Sequence, residues 1–331
     1  MKRSVLVLAI AYLVLLLIGW GLLRSGLNTH WLGTLFLFSP RWVVALPIVI
    51  LLPITFWCRW KLSCIYLLHL LIILFPIMGY KAFSSARPST NESEELHILT
   101  SNVGGGDLNI PEMIELVHKH KIDVLLLQEC EPKEAISLFD KLGWPYQQRH
   151  QIVIASTLPM SEARVLARQP ETHYRAVAAA ACTIDWKPER SIRVVSIHLP
   201  TFRPAFAKMQ AMNFAEGPAA IREMGSAYCE VADQAYQEVY DSDLPTIIAG
   251  DFNAPADSEY FRRYWGGYVD SRSAGKRGFG YTKFTKYHGV RIDHLLVDSN
   301  WTVIHSEVGP DLGGDHRSVI VALKPTKAMS P

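Results

Sequence analysis

The chain has 331 residues, 49% of them hydrophobic and 19% charged, and a formal net charge of +2. That charge is unevenly spread: residues 1–80 hold no Asp or Glu and six Lys or Arg, which leaves 27 basic and 31 acidic residues in 81–331, a net −4. Five cysteines without ligand-like spacing exclude a disulfide scaffold and a zinc module. The acidic main part speaks against tight non-specific binding of nucleic acid, whose affinity comes largely from Lys and Arg on phosphates.

Residues 4–23, SVLVLAIAYLVLLLIGWGLL, run twenty positions without a charge, enough to span roughly 30 Å of hydrocarbon as a helix. Further apolar runs cover 42–58 and 62–80, with Trp42, Trp57, Trp60 and Tyr80 near their ends, where an aromatic belt would sit. A membrane anchor of about three transmembrane helices is therefore expected over residues 1–80. The second run is short and holds Pro47 and Pro53, which leaves two spans as the alternative. A cleaved signal peptide fails on length, since the first run is too long for a signal core and two more follow. A transporter would need more spans and charges within them. Two Lys or Arg flank every run, so the positive-inside count does not decide orientation. With the Lys2-Arg3 start kept inside, three spans describe an integral protein of the cytoplasmic (inner) membrane with its main domain on the extracytoplasmic side.

A polar tether over 81–95 leads into a domain at 96–324, with a tail at 325–331. A strand is predicted at Leu96–Val103, then a helix at Pro111–Lys121 with Pro111 in its first turn and Met113, Ile114, Leu116 and Val117 on one face. Strands follow at Ile122–Leu127, Gln151–Ser156, Val177–Ile184 and Ile192–Leu199. A long helix covers Pro218–Tyr240, its apolar positions stepping by three or four. The remaining strands are Thr246–Ala249, Arg291–Val297, Thr302–Glu307 and Ser318–Leu323. Many are apolar on both sides, so helices should cover the sheets in a layered α/β or α+β sandwich.

The strand ends carry the chemistry. Asn102 closes the first strand, Glu129 follows the second, His198 ends the "VSIH" strand, Asp251 and Asn253 follow "IIAG", Asp293 stands near the start of "RIDHLLVD", and Asp315-His316 precede the last strand. Each alone has a bland reading; Asp and Asn beside Gly and Pro usually make a turn. Together they form a coherent set. A hard oxygen ligand such as Glu129, helped by Asn102 and Asp315, suits magnesium. A carboxylate paired with a histidine gives a base of fixed tautomer, and a second histidine can donate to the reacting group. Metal, base and donor are what phosphate-ester hydrolysis needs.

In "LTSNV" (99–103), "LLQEC" (126–130), "VSIHLP" (195–200), "IIAGDFNAP" (247–255), "RIDHLLVD" (291–298) and "GGDHRSV" (313–319) the sequence resembles the endonuclease/exonuclease/phosphatase superfamily over essentially all of residues 95–324. The resemblance implies an α+β fold, a four-layer α/β/β/α sandwich like deoxyribonuclease I, with the site at one edge. It implies Glu129 as the principal Mg2+ ligand (Mn2+ a possible substitute), with Asn102 and Asp315 close to the metal. Asp293 would orient His316, which activates water or stabilises the pentacovalent phosphorus. Asp251 and Asn253 would position the nucleophile and bind phosphate oxygens, and His198 would assist the leaving group. The serine usual before the Asp-His pair is Gly314 here, and "VGGGD" after Asn102 lacks the acid that some nuclease members carry two residues on.

A basic stretch, Arg262, Arg263, Arg272, Lys276, Arg277, Lys283, Lys286 and Arg291, contains one acid, Asp270, and is interleaved with aromatics from Tyr260 to Phe284. It reads either as an ordinary solvated loop or as a substrate-facing loop, cations for phosphate and rings for a base, a lipid or an inositol. The expectation is a membrane-tethered, magnesium-dependent phosphodiesterase acting on nucleic acid or phospholipid head groups. The alternatives are a phosphomonoesterase on inositol or sugar phosphates and a silent tethered binding module.

Overall fold

The computed structural model describes residues 2–84, 94–170, 176–187 and 190–326. Most of the expected tether, and the tail from residue 327, lie outside the described residues. The chain divides into two compact units, the first comprising residues up to 82 with short segments at 257–259 and 277–279.

In the first unit, α1 (Lys2–Arg24), α2 (Trp31–Phe38), α3 (Leu46–Arg59) and α4 (Ile65–Ile72) follow one another, and a π turn at Ile73–Ile77 extends the last. Among the described residues, two helical stretches are long and apolar enough to cross a membrane, Arg3–Arg24 and Arg41–Ile77. The second takes in the run at 42–58 and the run at 62–80 as far as Ile77. Arg59, at φ −157° and ψ 73°, interrupts it. Thr55 Oγ1 lies 3.0 Å from Tyr66 Oη, whereas eleven residues of unbroken helix would separate them by about 16 Å, so the chain folds back there. Tyr12, Leu16, Leu37, Tyr66 and Ile73 form a small core, yet the outer faces are also apolar: Val49, Phe56, Trp57 and Leu67 are more than half exposed.

In the second unit, the first sheet contains β1 (Leu96–Asn102), β2 (Val124–Gln128), β3 (Tyr146–Arg149) and β4 (Ile152–Ser156), and is completed by the last two strands of the chain, β13 (Trp301–Asp311) and β14 (Arg317–Pro325), in the order β13-β14-β1-β2-β4-β3. Between them in sequence, α5 (Ile110–Lys119) and α6 (Pro132–Leu142) pack on its outer face. The second sheet has the order β5-β6-β7-β8-β12-β9, from β5 (Arg164–Arg168), β6 (Val177–Lys187), β7 (Arg190–His198), β8 (Thr246–Asp251), β9 (Val269–Asp270) and β12 (Asp293–Val297). The connections hold α7 (Arg203–Gln210), α8 (Gly217–Tyr240), α9 (Glu259–Trp265) and a two-stranded ribbon of β10 (Lys283–Phe284) and β11 (Gly289–Val290). α8 lies against β5 and β6.

The alternation of a strand's side chains explains the layers. Leu96 and Ile98 of β1, and Val124 and Leu126 of β2, face Val194, Ile247 and Leu295 of the other sheet. Leu99, Leu125 and Leu127 point outward to Met113, Val117, Leu138 and Phe139 of the helices. Both faces of these strands are buried, which makes the strands apolar on both sides. The result is the expected four-layer sandwich, two mixed sheets flanked by helices.

Candidate active site

Each sheet contains one parallel pair, β1 beside β2 and β7 beside β8. Their registers place Asn102 opposite Gln128 and His198 opposite Asp251 at the carboxyl ends. β12 runs antiparallel to β8 and begins with Asp293 opposite Asp251. β14 begins one residue after His316. Topology alone therefore delivers the tips to one edge of the sandwich. β8 continues through Asp251 rather than stopping at Ala249, and β12 starts at Asp293 rather than Arg291.

The tips are tied together by buried and part-buried hydrogen bonds. Asn102 Nδ2 donates to Glu129 Oε1 at 2.9 Å and, across the sheets, to Asp251 Oδ2 at 3.0 Å, while Asn102 Oδ1 accepts from the Gly104 amide. Beneath them Gln128 Nε2 donates to Ser196 Oγ at 2.9 Å. Glu129 (φ 54°) and Asn253 (φ 49°) both occupy the left-handed region, a costly conformation for residues with side chains that persists where the surroundings over-determine it. Gly250, at φ 137°, has no alternative: a Cβ there would lie 2.0 Å from the Ile197 carbonyl oxygen.

His316 is buried, with Nδ1 2.9 Å from Asp293 Oδ2 and Nε2 3.8 Å from Asp251 Oδ2. An N–H on Nδ1 donating to Asp293 leaves Nε2 as the nitrogen facing the site. Burial pushes the imidazole down, but Asp293 and Asp251 outweigh it and carry His316 up to about 9. Burial, reinforced by Asp293, raises the Asp251 carboxyl above its usual range. Asp293 is itself fixed by its amide, which donates to Thr282 Oγ1 at 3.1 Å.

Glu129, His198 and Asp251 each bring a ligating atom within 4.8 Å of the others, and Asp251, Asp293 and His316 do likewise. The His198 hydrogen bond outweighs burial and holds Glu129 down at about 2, so it is ionised at neutral pH. Burial depresses His198, but its bond to Glu129 and the nearby carboxylates leave it raised. His198 Nε2 is 3.3 Å from Glu129 Oε1, and its buried Nδ1 has no partner among the described residues. The ionised Glu129 carboxylate is a hard oxygen ligand that suits a divalent cation. These residues lie on a pocket of about 300 Å³, whose lining includes Glu129, His198, Asp251, Asn253, Lys283 and His316.

The structure thus gathers Asn102, Glu129, His198, Asp251, Asn253, Asp293, Asp315 and His316 at one edge, with two departures in detail. Asn253 Nδ2 donates both its hydrogens inside the protein, to the Leu199 carbonyl at 2.9 Å and to Asp251 Oδ2 at 3.1 Å. The Asp315 carboxylate, expected close to the metal, is held by Lys283 Nζ at 2.7 Å and Arg203 at 3.1 Å. Lys283 outweighs burial and keeps Asp315 below the usual carboxylate range.

The basic stretch also divides. Arg291 pairs with Asp270 and Lys276 with Glu307, while Tyr260, Phe261, Tyr264 and Trp265 of α9 are buried. Phe261 and Trp265 pack around Phe252, so these rings serve the core rather than a substrate. Lys283 alone of the stretch lines the pocket. Gln169 and Arg203, which no sequence motif distinguished, line it as well.

The domain resembles solved structures of an endonuclease/exonuclease/phosphatase family protein from Bacteroides thetaiotaomicron (14% identity over 69% of this chain and 97% of that one, TM-score 0.52). It also resembles D. rerio TDP2 complexed with a single-strand DNA product (16%, 70% and 99%, TM-score 0.53) and a mannosyl-6-phosphatase of Bacteroides thetaiotaomicron (15%, 69% and 99%, TM-score 0.51). Identities this low establish a shared fold alone. No curated protein matches the chain by sequence. Residues 99–316 match the Endonuclease/Exonuclease/phosphatase family, and to that family the chain belongs.

Proposed function

We propose that the domain hydrolyses phosphate esters, diesters above all, with a divalent ion held by Glu129 and with Asn102 beside it. Magnesium is the ion this reading favours, with manganese as a substitute. When bound, the ion supplies positive charge to a phosphate oxygen. The observation that carries the reading is the buried Asp293–His316 pair facing Asp251 across the same pocket as Glu129. In this mechanism Asp251, its affinity for protons raised by burial, takes the proton of the attacking water. His316 Nε2–H donates to a phosphoryl oxygen as its charge grows, and Asp293 holds the ring in place. In this reading His198, on the wall of the same pocket, is assigned the proton for the departing oxygen. The two solved relatives named for a DNA product and for a sugar phosphatase fit a phosphate-ester class without choosing between leaving groups.

The N-terminal helices in this reading anchor the domain to a bilayer, because their outward faces are apolar where a soluble bundle would be polar. Three spans put the domain opposite the Lys2-Arg3 terminus; protease protection in sealed vesicles tests that side. The enzymatic test is hydrolysis of bis(p-nitrophenyl) phosphate by the detergent-solubilised full chain, with magnesium or with chelator, beside His316→Ala. Metal-dependent turnover lost in the variant is expected. Turnover of p-nitrophenyl phosphate alone would move the assignment to a monoesterase, and turnover of neither by folded protein would favour a binding module.

A further inference from the structure

Lys283 is the one lysine among the residues that line the pocket. Its backbone forms an isolated antiparallel bridge to His316, flanked by the Arg317 amide donating to the Thr282 carbonyl at 2.6 Å. The ribbon thereby sets the lysine against the start of β14. Its side chain is only 13% exposed, and Nζ lies 2.7 Å from Asp315 Oδ2 and 2.8 Å from His316 Nε2. The pairing with Asp315 satisfies one of three N–H donors. The approach to His316 is of another kind. An ammonium can only donate, and an Nε2 that donates to substrate cannot also accept from lysine. The two nitrogens make a compatible pair when a single acceptor oxygen takes a hydrogen bond from each. Both line the pocket beside Glu129 and Asp251. The amide expected to bind phosphate, Asn253 Nδ2, has no hydrogen to spare.

We propose that Lys283 is a substrate-contacting residue, its ammonium group and His316 Nε2 donating together to one non-bridging oxygen of the bound phosphate. This rests on the phosphoesterase reading and adds to it the donor that the sequence motifs leave out. A charge-assisted hydrogen bond of this kind corresponds to about 10- to 100-fold in binding.

The test uses the full chain in detergent with Lys283→Met, Lys283→Arg and Asp315→Asn, alone and combined, and two readouts. Calorimetric binding of inorganic phosphate, with chelator present, should weaken about 10- to 100-fold in K283M and recover in part in K283R, which keeps the charge. Hydrolysis of bis(p-nitrophenyl) phosphate should lose kcat/KM by a similar factor. If Lys283 merely neutralises Asp315, K283M in the D315N background will be no worse than D315N alone. If Lys283 touches phosphate, the second substitution still lowers binding. Wild-type phosphate affinity in a folded K283M overturns the proposal while leaving turnover, and the phosphoesterase reading, intact. Absence of turnover in the wild type together with a Lys283-dependent phosphate site would overturn the hydrolase reading alone. Thermal melts of each variant separate unfolding from loss of contact, and K283R keeps the test open if K283M does not fold.

Discussion

Gly104 offers the sharpest check on Glu129. It stands just beyond β1 with its Cα turned to the Glu129 side chain. A Cβ at that position would lie 2.0 Å from Glu129 Oε2, 2.7 Å from Cδ and 2.8 Å from Cβ. Ordinary contact begins at 3.4 Å, so in Gly104→Ala the oxygen must retreat by about 1.4 Å. A rotation of the carboxylate alone cannot supply that, because the Glu129 Cβ is crowded too and the backbone behind it sits at φ 54°. Retreat stretches the bonds from Asn102 and His198 to Oε1. Overpacking of this kind costs about 1–3 kcal/mol, or a Tm lower by roughly 2–10 °C in a domain of this size. A ligand misplaced by an ångström should lower affinity for magnesium or manganese by about 10- to 100-fold. Isothermal calorimetry of metal binding and a thermal melt measure both, with Gly267→Ala, where an added methyl meets nothing within 4 Å, as the control. Wild-type metal affinity in a folded Gly104→Ala protein would refute Glu129 as the principal ligand.

Three other substitutions and titrations bear on the same architecture. Burial acts to raise the Asp270 carboxyl, but Arg291 and His294 hold it well below the usual range. Its depressed pKa therefore stabilises the fold above about pH 4, where an unfolded aspartate is ionised, and that stability drains away as pH falls below it. Asp270→Asn should abolish this acid dependence of Tm and cost about 3–5 kcal/mol by stranding the Arg291 charge. In metal-free protein the His316 ring, carried up to about 9, should titrate by 13C NMR well above 6.5. The stability it confers is complete below 6.5 and lost as pH rises through about 9, and Asp293→Asn should bring the midpoint down. Burial pushes the Cys130 and Cys182 thiols up to about 12, so a thiol reagent at pH 8 should leave both unlabelled until the protein is denatured.

Which parts were legible in the sequence follows from where the information lies. The central strands are apolar on both faces, and their runs mark them to within a few residues. β2 begins at Val124 rather than Ile122 because the Ile122 and Asp123 amides are spent on the Val117 and His97 carbonyls. The edge strands β3 and β5, YQQR and RVLAR, carry too little apolar pattern to be read. α6 was missed although Glu131 and Glu134 form a capping box, with Pro132 in the first turn, that announces it. The site residues sit at the ends of legible strands, so their convergence could be expected. Lys283 belongs to the basic stretch for which a substrate-facing loop is one of two readings, but which of its cations reaches the pocket depends on a bridge to a residue 33 positions on, and no local pattern encodes that. At Asp315 the resemblance implies a place close to the metal, and the fold in addition pairs its carboxylate with Lys283 and Arg203, which no local pattern announces.

The two sheets explain why so many ionisable groups can be held together without one of them unfolding the edge. In each sheet the carboxyl ends of the parallel pair carry the polar groups, Asn102 with Gln128 and His198 with Asp251. The carboxylates at this edge repel one another, most strongly the buried pair Asp251 and Asp293. Asn102 answers this repulsion with one amide that donates to Glu129 and to Asp251 at once, so the bond joining the sheets also separates two negative charges. Gly104 and Gly250 allow the close approach, since a side chain at either would collide with Glu129 or with the neighbouring strand. A divalent ion at Glu129 would relieve the remaining repulsion, so its binding should stabilise the fold as well as the site. On this account Asn102→Asp, nearly isosteric but an added negative charge that can no longer donate to both carboxylates, should unfold at lower temperature than wild type in chelator and gain more than wild type from saturating magnesium. Equal magnesium-induced shifts in Tm for the two proteins would mean that the ion and Asn102 act on different charges, and the account would fail.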